Sequence, residues 1–359
     1  MFTPYVDQLK LLLHQSAIGQ IRWLDWLAAQ LIDFLTSPLT GLRTRSYWPE
    51  LVAGILIAAL VFALRDRLPS QGPRAFLAWL FPKRMFIHNS TWVDCKLILA
   101  NNFVTPAINL TWRLNTVFFT TGLLAVLTAA FGSAPHWLTW TTPTLILFTI
   151  LFGLAEDFGY YVFHVAAHRI PVLWAFHKVH HSAETLQVFA NVRVHPVEVI
   201  LTGPFKAAAT ALVMAPALYL GVGEVSPVTL LGMNLMAAFY GAVGSQLHHS
   251  HIWISWGRVL EHVFISPAQH QIHHSSAPHH WNRNMGGNFA LWDWMFGTLY
   301  VPRGRETISF GLLNGAPQPH PTLRAAYLEP FREAVPQALR ERVSLVVRKI
   351  TSPPLARGG

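Results

Sequence analysis

Five mostly apolar stretches of about 20 residues run through the chain, and length alone makes each a candidate membrane-spanning helix. They are Tyr47–Leu64, Leu114–Phe131, Thr142–Tyr161, Val197–Leu220 and Pro227–Leu247. Inside a bilayer every backbone N–H and C=O must be bonded within the protein, so such runs admit helices and little else. Pro204 and Pro216 in the fourth run predict kinks, which neighbouring helices tolerate. Composition agrees: 12% of residues are charged, where a soluble domain has roughly 25%. The mean hydropathy is +0.34. The expected fold class is all-α, a polytopic membrane helical bundle with about 4–5 transmembrane helices.

Ahead of the first run, Ile21–Leu35 places apolar residues at helical spacing with Asp25, Gln30 and Asp33 between them, which predicts an amphipathic helix lying in the membrane interface. The opening MFTPYVDQLK lacks the basic start and apolar core of a cleavable signal, so the first spanning helix is expected to direct insertion. From about Val301 the chain is polar, Pro-rich and basic, with helical spacing over Thr322–Arg348.

The formal net charge of +9 does not indicate nucleic acid here, because the Lys and Arg residues flank the apolar runs. That placement is the positive-inside bias, with contact to anionic lipid headgroups. Arg65, Arg67, Arg74, Lys83, Arg84, Lys96 and Arg113 lie between the first two runs and predict a cytoplasmic segment, with Arg65–Lys96 packed on the membrane surface. Gly132–Thr142 has no Lys or Arg and is expected outside, as is the short turn Gly221–Ser226. The third run then ends in the cytoplasm just before His164. The single cysteine, Cys95, excludes an intramolecular disulfide and any cysteine-built zinc or iron–sulfur site.

Of 19 histidines, 15 fall between His164 and His280. His164 and His168 in HVAAH are four apart, so their imidazoles share one helix face about a turn apart. His177, His180 and His181 in HKVHH, and His270, His273 and His274 in HQIHH, stand at i, i+3 and i+4. These are chelating spacings, and polar clusters beside a membrane are expensive unless they bind something. Imidazole suits zinc, copper, iron and nickel. Eight histidines exceed the four ligands of a structural zinc site and fit two ions. A redox pair that activates dioxygen is the preferred reading. A histidine-rich metal transporter would place its ligands within the spans, and a zinc hydrolase would need a Glu inside a box. Neither pattern is present.

These residues resemble the fatty acid hydroxylase/sterol desaturase superfamily. The resemblance rests on Asp157, Tyr160 and Tyr161 before HVAAHR, then FHKVHHS, RVHPVE, QLHHSH, HQIHHS and ALWDWMFGT (Ala290–Thr298), and covers roughly Phe152–Val301. Only eight residues separate His168 from His177, unlike the widely spaced first boxes of acyl-CoA and acyl-lipid desaturases. The resemblance implies ten metal ligands: the eight box histidines with His195 and His249. From the residues alone, His195 also reads as a helix start with Pro196 at the first position, and His248 and His251 compete with His249. Asp157, Asn284 and Asp293 are expected behind the ligands, the carboxylates as acceptors for ring N–H groups; Asp293 also reads as a cap or packing residue beside Trp292. Met285 stands where the family has tyrosine.

The resemblance further implies two iron ions (or zinc as purified), O2 as co-substrate, a lipid substrate entering from the bilayer, and a cytochrome b5-like or ferredoxin/reductase electron donor. The reaction is hydroxylation or desaturation of an unactivated C–H position, with sterol or carotenoid-type oxidation as the alternative. The expected organisation is an interfacial region (1–46), a membrane oxygenase domain (47–301, histidine-box core 152–301) and a basic cytoplasmic tail (302–359). A bacterial inner membrane is favoured over the endoplasmic reticulum.

Overall fold

The computed structural model describes residues 48–65, 72–223, 225, 228–230, 233–312 and 317–335. The expected interfacial helix at 21–35 and the end of the predicted tail helix lie outside them. Contacts divide the chain into Met1–Trp48 and Pro49–Gly359, and the structure below is that of the second unit. Its helices are α1 (Trp48–Arg65), α2 (Pro73–Leu80), α3 (Asn89–Phe131), α4 (Thr142–Arg169), α5 (Pro171–His181), α6 (Pro196–Leu220), α7 (Leu235–Ala242), α8 (Pro267–His273), α9 (Leu291–Phe296) and α10 (Leu323–Ala334), with short helical turns between them. The only paired strands among the described residues are the two-residue segments Thr229–Leu230 and Met233–Asn234.

Among the described residues, three helical segments are long and apolar enough to cross a membrane: Ala107–Phe131, Thr142–Arg169 and Pro196–Leu220. Apolar side chains such as Phe118, Val126, Leu147 and Leu212 point outward from them, as lipid-facing positions should. The apolar part of α1, Leu51–Leu64, is shorter. The second expected span begins earlier than hydropathy suggested. It is the distal part of α3, a 43-residue helix of about 65 Å. Of the basic residues ahead of this span, Lys96 and Arg113 lie within α3 itself.

The fifth expected span is not one helix. The paired segments lead into the eight-residue α7, about 12 Å long and too short to cross. Gly244 at φ 83° stands just beyond it and precedes a 3-10 turn, Ser245–Leu247. Apolar composition is equally suited to a short segment buried against protein, which hydropathy does not distinguish from one facing lipid. Here Met236 of α7 is buried, and a Cβ on Gly153 of α4 would meet its side chain.

α6 lies along both α3 and α4. The backbones come close at Gly159 of α4, where a Cβ would stand 2.7 Å from the Lys206 Cα and the Phe205 carbonyl oxygen of α6. Small residues permit such backbone contact between membrane helices. Gly159→Val is expected to lower stability by about 1–3 kcal/mol through overpacking, read as an earlier thermal unfolding transition in detergent.

The two ends of the bundle differ. At one end Leu138 and Leu220–Val222 exchange backbone hydrogen bonds, and the Tyr219 hydroxyl donates to the Gly132 carbonyl. α4 runs from this end to the opposite one, where it stops at Arg169, and α6 starts there at Pro196. The histidine boxes gather at that opposite end.

Candidate metal centre

Proline sets the first corner of the site. Pro171 disfavours helix at the residue before it, so α4 ends, Ile170 is extended (φ −99°, ψ 115°), and α5 starts at once. The chain turns back, bringing His177 and His181 of α5 against His164 and His168 of α4. α8 begins with a capping box, Ser266 and Gln269, with Pro267 in its first turn, and presents His270, His273 and His274. The 3-10 turn after Gly244 delivers His249.

Nine imidazoles form two adjoining clusters: His164, His168, His177, His181 and His273 in one, His180, His249, His270 and His274 in the other. Each HxxHH box is divided between them. HKVHH gives its i, i+4 pair to the first cluster and His180 to the second, while HQIHH gives its i, i+4 pair to the second and His273 to the first. Residues four apart project from nearly the same side of a helix, and the neighbour next in sequence is rotated by about 100°. The spacing therefore serves two centres at once.

The nitrogen contacts are informative. In the first cluster the Nε2 atoms of His168, His177 and His181 lie 3.1 Å from one another in all three pairings. In the second, His249, His270 and His274 do the same at 2.9–3.2 Å. A neutral ring nitrogen either donates or accepts. Among three mutually touching nitrogens two must be alike, so no placement of protons satisfies either triangle. A cation receiving three lone pairs resolves it: metal–nitrogen bonds of about 2.0–2.1 Å put neighbouring ligands about 2.9–3.4 Å apart. His273 Nε2 is buried without a hydrogen-bond partner and belongs to the first cluster. The donor set thus fits two transition-metal ions.

In four of the nine imidazoles the opposite ring nitrogen is held by an acceptor, which leaves the Nε2 lone pair free for metal. His164 Nδ1 donates to the Met285 carbonyl (2.7 Å), His177 Nδ1 to Glu198 (2.7 Å), His180 Nδ1 to the Arg193 carbonyl (3.2 Å) and His273 Nδ1 to the Arg283 carbonyl (2.9 Å). Burial, then the neighbouring imidazoles, holds His177, His181, His270 and His274 well below the usual histidine range. Burial also lowers His273, to about 4. All five are neutral at physiological pH, as ligands must be.

The other expected site residues stand elsewhere. His195 caps α6: its Nδ1 accepts from the Val197 amide, and its Nε2 donates to the Tyr327 carbonyl at 3.2 Å. Pro196 fills the first helical position, so the helix-start reading describes what this histidine does here. Both its nitrogens are engaged, and His195 lies outside both clusters. Because asparagine caps helices equally well, His195→Asn is expected to leave the metal content unchanged, checked by elemental analysis. His248 and His251 bond the Ile265 and Trp79 carbonyls, which leaves His249 as the member of that trio in a cluster.

Asp157 and Asp293 were expected to accept from ligand N–H groups, and the hydrogen bonds correct this. Asp157 accepts from the Asn288 and Phe289 amides, the Asn288 side chain and Trp292 Nε1. Asp293 accepts from the Met285 and Gly286 amides and the Thr298 hydroxyl. Burial raises Asp293 to about 6 against those hydrogen bonds. Asn284 bonds the Gln269 carbonyl and the Tyr300 amide. Together these residues fasten the loop from Asn284 to Phe289 onto α4, which puts the Met285 carbonyl on His164. The WDxxFGT ending thus positions a backbone acceptor, and the exchange of tyrosine for Met285 leaves that acceptor in place. Gly286 is required there, since a Cβ would stand 2.2 Å from the Phe289 carbonyl oxygen.

Two contributors were not singled out from sequence. Glu198 was visible only as the acidic member of RVHPVE. Arg193 is fully buried, and its guanidinium bonds Asp94, the Val179 and His320 carbonyls and the Ser182 hydroxyl, fixing the carbonyl that faces His180.

Helices long and apolar enough to cross a membrane thus carry, at one end, paired histidine clusters that could each hold a metal ion. Residues 149–298 match the fatty acid hydroxylase family model, so this part of the chain carries a fatty acid hydroxylase domain. It is 32% identical over 174 residues to the ornithine lipid hydroxylase OlsE of Rhizobium tropici, covering 48% of each chain. It is 28% identical over 159 residues to the alkylglycerol monooxygenase of Homo sapiens (44% of this chain, 32% of that one). It is 24% identical over 162 residues to the Delta(7)-sterol-C5(6)-desaturase of Nicotiana tabacum (44% and 51%). The matches span about half the length of these relatives or less. No solved structure matches the chain.

Proposed function

We propose that this protein is a membrane-bound di-iron monooxygenase that hydroxylates an unactivated C–H position of a lipid, with O2 as co-substrate. The observation that carries the reading is the pair of adjoining clusters, five and four imidazoles, each built around a nitrogen triangle that only a cation satisfies. Hydroxylation is favoured over desaturation because the ornithine lipid hydroxylase and the alkylglycerol monooxygenase are among the similar proteins.

His164, His168, His177, His181 and His273 would hold one ion, and His180, His249, His270 and His274 the other. Two irons held there would supply the chemistry of dioxygen activation, with electrons from an external cytochrome b5-like or ferredoxin donor. The protein holds the ring tautomers through Glu198 and three backbone carbonyls. It also limits water: eight of the nine imidazoles are buried, with the Trp174 ring against His168 and His181. The ends of the spans lie beside the clusters, which suits a lipid arriving sideways. The oxygenase domain is proposed to span residues 47–301, with its active site on the cytoplasmic side, as the loop charges indicate.

The test uses the purified full chain with iron, a chemical reductant and isotopically labelled dioxygen on extracted membrane lipids, read by mass spectrometry. One labelled oxygen per product lipid is expected. Loss of two hydrogens without label would move the assignment to desaturation. Unchanged lipid with both ions bound would overturn it.

A further inference from the structure

A third group of metal-binding side chains lies outside the two clusters. One nitrogen each from His279 and His280 and a carboxylate oxygen of Glu306 lie within 4.8 Å of one another. The two imidazoles are in contact, with ring centroids 3.9 Å apart. His280 is 2% exposed, and its Nε2 lies 3.0 Å from Glu306 Oε2. The Tyr300 hydroxyl donates to the other oxygen, Glu306 Oε1, at 3.1 Å, which orients the carboxylate. His280 Nδ1 is buried and has no hydrogen-bond partner. The 3.0 Å between Nε2 and Oε2 is the separation of two ligands on one ion, whose bonds of about 2.0–2.2 Å put neighbouring donors about 2.9–3.4 Å apart. His279, by contrast, is exposed, so an ion has access.

We propose that His279, His280 and Glu306 form a third, mononuclear site for a divalent transition-metal ion of the zinc or cobalt type. Two imidazoles and a carboxylate with an open position are a donor set that zinc accepts, water completing the tetrahedron. The mixture of nitrogen and oxygen donors disfavours calcium and magnesium, which take oxygen ligands. Only three protein donors, one of them on the surface, make the site weaker and more exchangeable than the buried clusters.

Its place in the chain gives it a consequence. His279 and His280 sit in the loop that leaves the HQIHH box and carries Arg283, whose carbonyl receives His273 Nδ1–H, and Asn282, whose side chain bonds His168. Glu306 comes from the returning segment, which holds the start of the loop through Ser276 and Ser309. An ion shared by His279, His280 and Glu306 closes this loop at a second point. The bound ion therefore stiffens the shell of the five-histidine cluster without touching it.

The probe is Co2+ added to the detergent-purified full chain after its tight sites have been filled with zinc and excess zinc removed. One further equivalent of Co2+ is expected, with the visible absorption of a tetrahedral or five-coordinate ion. His279→Ala and Glu306→Gln should each weaken that uptake tenfold or more while the tightly held zinc stays as in the unsubstituted chain. Hydrogen exchange of amides 277–283 should slow on Co2+ addition only in the unsubstituted chain. No additional Co2+ equivalent, or equal uptake by the variants, overturns the site. Uptake without slower exchange overturns the stiffening. Because the readout is additional metal, it stands whether or not the two clusters prove to be an oxygenase centre.

Discussion

Pairs of histidine substitutions are expected to act on one metal ion or on both according to cluster, not according to sequence box. His180→Ala with His274→Ala removes two ligands from different boxes but from the same cluster, and should leave one ion per chain. His180→Ala with His181→Ala removes neighbours in a single box, one from each cluster, and should weaken both ions while leaving four imidazoles for one and three for the other. Each lost ligand is expected to weaken its ion at least about a hundredfold, the upper end of the effect of losing a residue behind a ligand. The four-histidine cluster keeps only two imidazoles in the first double variant, too few for any of the usual sites. Elemental analysis of purified protein reads the result, and lipid oxidation should vanish in both variants. Two tightly held ions in the first variant, or only one weakened ion in the second, would refute the division of the boxes.

Glu198→Ala is expected to loosen the five-histidine cluster while leaving every ligand present. The His177 Nδ1–H donates to this carboxylate in the interior, where no other acceptor is provided. Losing the acceptor leaves a buried donor unsatisfied, at about 1–3 kcal/mol, and frees the ring to turn and change tautomer. Metal affinity should fall about 10–100-fold, seen as faster loss of one ion to a chelator. Glu198→Gln keeps a carbonyl acceptor at similar reach and should restore most of the retention. A general packing defect would not be rescued in this way. Equal chelation rates in the alanine variant and the unsubstituted chain would remove Glu198 from the site.

Much of this site was legible because helix geometry is local. Spacings of three and four residues bring side chains to neighbouring positions whatever surrounds them, so the eight box histidines stand out as chelating sets, and all eight lie in one or other of the two clusters. The apolar lengths likewise announced the helices that reach the far end of the bundle. Hydropathy misjudged Pro227–Leu247 for a physical reason: it measures preference for an apolar medium and is blind to whether that medium is lipid or protein.

The remaining features depend on groups far apart in the chain. His249 and His195 both resemble ligands on paper. The fold places one against His270 and His274 and the other at the head of α6 with both nitrogens engaged. Asp157 and Asp293 carry the charge expected of partners for imidazole, yet they secure a loop whose Met285 carbonyl, a group no side-chain pattern reveals, bonds His164. By itself the sequence determined an all-helical membrane protein with three chelating histidine boxes, because spacing and apolar length act over a few helical turns. Only the tertiary structure decided which imidazoles share a centre and which groups hold their tautomers, because those depend on where α4, α5, α6 and α8 meet.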